Sequence, residues 1–181
     1  MADSTDTESG RKAAEKKLDA EFSRLGRTGH CLGVILVRSR GSLNEALRRL
    51  LAGAAGPCDC SFALTESVGA LFLPDMGAGE CLRTARSLSE RMAAGRLSGT
   101  LAASAVPGGM PGSGRSGGAF VKRLLGAVRT LPDDGAVHRL TSADLCPAPG
   151  RGAIVQAEEK LFLLGGAACR TALRGTSCRK H

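Results

Sequence analysis

The spacing of apolar residues changes from segment to segment along this chain, and each change predicts an element. Leu18, Phe22 and Leu25 recur at helical spacing within a charged stretch. Residues 11–25 are therefore expected as a helix, closed by Gly26 and Gly29. Residues 1–10 are polar with no apolar period, and predict a disordered start. Cys31-Leu32-Gly33-Val34-Ile35-Leu36-Val37 is a continuous apolar run, the pattern of a central strand covered on both faces. Ser42 with Glu45 reads as a capping box for a helix whose stripe is Leu43, Leu47, Leu50 and Leu51. Gly56-Pro57 ends that helix. Residues 60–65 and 69–73 read as two strands flanking Glu66-Ser67, which suits a tight hairpin, and Pro74 stops the second.

Residues 79–94 form an amphipathic pattern with Cys81, Leu82, Ala85, Leu88 and Met92 inward. Residues 97–106 read as a strand and 107–118 as a loop of Gly, Ser and Pro. A helix from 119 to 130 carries Phe120, Leu124, Leu125 and Val128, and residues 137–140 predict an edge strand. Residues 147–181 read as a linker, a short apolar segment over 152–164 and a basic tail. This order predicts an α/β (α+β) sandwich, a ferredoxin-like central sheet covered by helices.

Composition narrows the function classes. The hydrophobic fraction of 43% is enough for a core in a chain of 181 residues. Aromatics are only 3%, which excludes a base-stacking platform. The formal charge of +8 admits contact with nucleic acid, but the basic residues are spread along the chain. No apolar run is long enough to span a membrane and the first residues do not form an export signal, so a cytoplasmic protein is expected. Seven cysteines in that setting read as reduced thiols. Cys58-Asp59-Cys60 lacks the knuckle spacing of a zinc site, so no metal is expected there. His30, His138 and His181 accompany no nucleophile elbow, and the loop Gly108–Arg115 lacks the Lys of a phosphate loop.

One stretch is more specific. Gly56-Pro57-Cys58-Asp59-Cys60 leads into a strand, a hairpin at Thr65-Glu66-Ser67-Val68-Gly69, and the strand Ala70-Leu71-Phe72-Leu73-Pro74. This resembles the GGDEF family of diguanylate cyclases over roughly residues 30–140. The resemblance implies a nucleotide-cyclase-like fold in three parts: a start and linking helix over 1–29, a domain over 30–146, and the tail over 147–181. It also makes the departures informative. Thr65, Glu66, Ser67, Val68 and Gly69 stand where the family has its Gly-Gly-acid-acid-Phe signature. Arg38 stands where the family's first strand ends in a metal-binding Asp, and Val68 where a signature carboxylate belongs. The guanine-holding helix is missing, because Gly41 leads almost directly into the next helix. The lysine expected after the last helix falls near Leu131 or Pro132. The family's inhibitory site keeps Asp59 but has Gly56 where its Arg belongs.

Magnesium is held by carboxylate oxygens, so Arg38 and Val68 remove its ligands. The resemblance therefore implies a degenerate domain with no catalytic residue, metal or cofactor: a regulatory or protein-interaction module of bacterial signalling. Two alternatives stand beside it: a nucleotide-binding or cyclising enzyme with a relocated site, and a basic nucleic-acid-binding α/β domain. A protein partner is expected. The helix over 11–25 is too short to stand alone in water, so it is expected to dock on the domain or to pair with its copy in a homodimer.

Overall fold

The computed structural model describes residues 3–108 and 116–145. The run that reads as a central strand is one: Cys31–Ser39 (β1) lies in the middle of a five-stranded sheet. Val68–Pro74 (β3) and Gly99–Pro107 (β4) flank it, both antiparallel to it. Cys60–Ala63 (β2) pairs antiparallel with β3, and Val137–Arg139 (β5) runs parallel to β4 at the other edge. The strand order is β2-β3-β1-β4-β5. The helices are Asp3–Thr28 (α1), Glu45–Ala52 (α2), Ala78–Ala94 (α3), Gly117–Thr130 (α4) and the single turn Ser142–Leu145 (α5).

Alternation along β1 sends side chains to two cores, one on each face. Leu32, Val34 and Leu36 join Ala70, Phe72, Ala14, Leu18, Phe120 and Leu124 beneath α1 and α4. Ile35 and Val37 join Leu71, Leu73, Leu47, Leu51, Ala85 and Leu88 beneath α2 and α3. The expected sandwich of a central sheet between helices is the observed architecture, and the apolar stripes expected for α3 and α4 are buried, except that Leu82 of α3 is only half-buried.

Several expectations are corrected. Residues 3–10 are helical, not a disordered start. The i,i+4 pair Lys12–Glu8 at 2.7 Å supports that extension. Gly26 lies inside the helix; the stop is Gly29, with φ +70° and its N–H on Leu25 O. Asn44, not Ser42, caps α2, accepting from Leu47 N–H at 2.8 Å, because only Asn44 directly precedes the first helical residue. β2 ends at Ala63, short of the expected residue 65, since Leu64 and Thr65 both turn their N–H groups onto Val68 O. β4 starts at Gly99 rather than 97, because Leu97 N–H still bonds back to Met92 O at the end of α3. The turn α5 has no counterpart among the expected elements. The expected linker, apolar segment and tail over 147–181, and most of the glycine-rich loop, lie outside the described residues.

The apolar stripe of α1 faces this chain's own body. Ala14, Leu18 and Leu25 are buried, and Phe22 meets Phe120 of α4 edge to face, with ring centroids 5.1 Å apart. Asp19 Oδ1 accepts Gly117 N–H at 2.6 Å, satisfying a free amide at the start of α4. Glu21 is buried to 6% exposure between Lys17 Nζ at 3.0 Å and Arg24 Nε at 2.8 Å. Burial, the largest influence, raises the pKa of this carboxyl. Hydrogen bonds from Arg24 and Lys17 together outweigh it and hold the pKa below the ordinary 4.5. The folded-state value is the lower one, so the carboxylate contributes stability above about pH 4.5 and loses it as pH falls through the depressed value. Glu21→Gln is expected to destabilise the protein by about 1–2 kcal/mol at neutral pH, less than a fully buried pair would, because Lys17 and Arg24 remain partly hydrated. Urea melts of both proteins should converge once the pH has fallen below the depressed value; a gap that persists in acid would mean that packing, not charge, is what Glu21 supplies.

Candidate functional site

The hairpin between β2 and β3 and the end of β1 form the site that the departures single out. Arg38 and Val68 are cross-strand partners, so the two positions expected to have lost their metal ligands do meet. Ser39 N–H bonds Ser67 O at 2.8 Å and Leu43 N–H bonds Glu66 O at 2.6 Å, tying the hairpin tip to the segment after β1. Gly69 lets β3 pass α2 closely: a Cβ there would meet Leu51 Cδ1 at 2.6 Å.

A cleft of about 340 Å³ opens between the hairpin and α4. Arg38 and residues 65–68 line one side; Leu125, Val128 and Arg129 line the other. The Arg38 guanidinium crosses the cleft to the end of α4. Nη1 donates to Val128 O at 3.0 Å and to Arg129 O at 3.4 Å, and Nη2 donates to Leu131 O at 2.9 Å. The last carbonyls of a helix have no partner within it and carry partial negative charge, so a cation there is favourable. Arg38 thus acts as a C-terminal cap supplied by another element. Leu131, near the expected place of the family's lysine, presents its carbonyl to this arginine.

The hairpin's amides are likewise engaged. Thr65 Oγ1 accepts from Val68 N–H at 3.0 Å and Ser67 N–H at 3.3 Å, where an incoming anion would otherwise find donors. Glu66 is exposed at the tip, and Val68 is buried. This donor set does not fit a divalent cation: a guanidinium and an isopropyl group stand at the two positions where oxygen ligands were expected from the resemblance. Among the described residues, no group of three or more His, Cys, Asp or Glu is placed to hold a metal ion.

Gly56 and Asp59 close on each other. Asp59 Oδ2 accepts Gly56 N–H at 2.7 Å, and Asp59 N–H returns to Gly56 O at 3.1 Å. The carboxylate that resembles part of an inhibitory site is a turn-closing group here. The roles of the Arg38 guanidinium and the Thr65 hydroxyl are not visible in the sequence. The charge of Arg129 and the apolar face of α4 are, but nothing local says that they border the hairpin.

No protein-family model and no curated protein matches the sequence. Solved structures do match. The active GGEEF domain of a diguanylate cyclase from Vibrio cholerae superposes with a TM-score of 0.58 at 12% identity, covering 72% of this chain and 96% of that one. The fold is that of a GGDEF domain. The GGDEF domain of a Pseudomonas aeruginosa protein gives 0.53 at 16% identity, covering 74% of this chain and 91% of its own. The GGDEF domain of DgcB from Caulobacter crescentus, in complex with c-di-GMP, gives 0.50 at 15% identity, covering 71% and 89%. At such identities the GGDEF-like likeness is one of fold. No helix among the described residues of this GGDEF-like domain is long and apolar enough to cross a membrane.

Proposed function

We propose that this GGDEF-like domain has no cyclase activity and serves as a regulatory, protein-binding module in cytoplasmic bacterial signalling. The observation that carries the proposal is Arg38. It stands where the family resemblance expects a metal-binding Asp, and its guanidinium is anchored on the carbonyls at the end of α4. Joining a ribose hydroxyl to an α-phosphate requires metal ions to neutralise the developing charge. A fixed guanidinium at that place repels a divalent ion. Losing a single electrostatic element of this kind typically costs about 100-fold or more in rate, and here both carboxylate positions are changed. The partner is a second protein. Ala14, Leu18 and Leu25 already pack within the chain, so a homodimer through α1 would have only its charged outer face to use.

Purified protein with guanosine triphosphate and magnesium or manganese should give no c-di-GMP above background by liquid chromatography and mass spectrometry. Product that disappears on Glu66→Ala would overturn this and favour a relocated site.

A further inference from the structure

The outer edge of β2 is guarded by the first half of α1. Leu64 N–H bonds Val68 O at 2.8 Å, which puts the Leu64–Val68 pair at a hydrogen-bonding position of the ladder, although Val68 N–H itself goes to Thr65 Oγ1. Such pairs alternate along an antiparallel ladder. The register Ala63↔Gly69, Phe62↔Ala70, Ser61↔Leu71 then makes Phe62 the next bonded residue. Ser61 and Ala63 direct their N–H and C=O groups away from β3, on an edge strand that no other strand among the described residues pairs with. Gly10 of α1 covers that edge at Ala63: a Cβ on Gly10 would lie 2.8 Å from Ala63 O and 3.7 Å from Ala63 N. Beside this contact, Ser61 opens onto a groove of about 290 Å³ between α1 and α2.

The guard is held loosely. The first buried apolar side chain of α1 is Ala14; residues 7–13 are exposed or half-buried and carry the exposed pairs Lys12–Glu8 and Arg11–Glu15. Exposed pairs of this kind contribute little, so this half of the helix belongs to the part of the fold that opens most easily.

We propose that release of residues 3–13 exposes β2 as a dimerisation strand, and that its partner is β2 of a second copy. The geometry of the edge accommodates that occupant, and the aromatic ring at its centre favours it. Ser61 and Ala63 are the outward-facing residues and stand two apart. A two-fold axis through Phe62 therefore pairs Ser61 of each copy with Ala63 of the other, and each pair exchanges both of its backbone hydrogen bonds. The same axis brings Phe62 opposite its copy in the closely spaced, non-bonded position, where aromatic side chains stabilise a ladder. Phe62 is half-buried, 5.7 Å from Phe72, so its ring is available to extend that cluster. This is a different surface from α1 itself and does not depend on whether the domain is catalytic.

Sedimentation of the 181-residue chain tests it. Gly10→Leu forces α1 off the Ala63 backbone, and the double reversal Arg11→Glu with Lys12→Glu replaces both ion pairs with like charges while leaving the sheet untouched. Both are expected to raise the association constant by at least about tenfold. The mass should move from 18.6 kDa towards twice that value. Adding Ser61→Pro removes one outward N–H per copy without touching the bonds to β3 and should abolish the gain. If Gly10→Leu fails to fold by circular dichroism, the charge reversal decides alone. No gain in association, or a gain that Ser61→Pro leaves in place, would overturn the proposal.

Discussion

Arg38→Asp is expected to destabilise the protein by about 3 kcal/mol. A hydrogen bond from a charged donor contributes about 1.5–3 kcal/mol, and Arg38 makes its contacts at a half-buried site where water replaces only part of the loss. The new carboxylate would also face the negative end of α4, adding roughly 0.3–1 kcal/mol. In a domain of this size each kcal/mol moves the melting temperature by about 2–4 °C, so a fall of about 6–12 °C is expected. Arg38→Lys should recover only part of it, because a single ammonium cannot span Val128 O and Leu131 O as the planar fork does. The aspartate restores the acid at the metal position, yet Val68 still faces it across the strand pair, so no cyclase activity should return. An unchanged melting temperature would mean that Arg38 does not brace α4.

Phe72→Ala is expected to cost about 3–5 kcal/mol, the range for truncating a fully buried aromatic. Phe72 lies on β3 opposite Val34 on one side and Cys60 on the other, so three strands meet at its ring. Net stabilities of domains are about 5–15 kcal/mol, which makes this loss a large share of the whole. Phe72→Leu keeps most of the volume and should cost no more than about 1.5 kcal/mol. Denaturant unfolding of the three proteins measures both effects. A cost for Ala below that for Leu would mean that the core beneath α1 and α4 collapses freely around the site.

The candidate site was half legible in the residues. Thr65 to Gly69 were placed at the hairpin from the apolar strand that follows them, and Arg38 at the end of β1 from the run that precedes it. In the sheet, Arg38 and Val68 are register partners. The bonds of Arg38 were not legible, because its acceptors lie some ninety residues further on, and a side-chain bond to a backbone carbonyl leaves no trace in the identity of the acceptor residue. The hydroxyl of Thr65 is a nearer miss. A threonine two or three residues before the amides it accepts is a local turn pattern, hidden here by the comparison with glycine.

The chain's own pattern determined the elements and their faces. The apolar runs of β1, β3 and β4 and the helical stripes of α3 and α4 are local consequences of the need to bury side chains at fixed periods. Element ends were less certain, because they depend on single hydrogen bonds such as Asn44 to Leu47 or Leu97 to Met92. The first residues of α1 were lost altogether, since a polar stretch has no apolar period to read. Only the tertiary structure decided what lies against what: that α1 packs on α4, that Gly10 covers the edge at Ala63, and that a cation at the end of β1 caps a helix. Those outcomes depend on distances between segments far apart in the chain, and such distances exist only once the sheet has assembled.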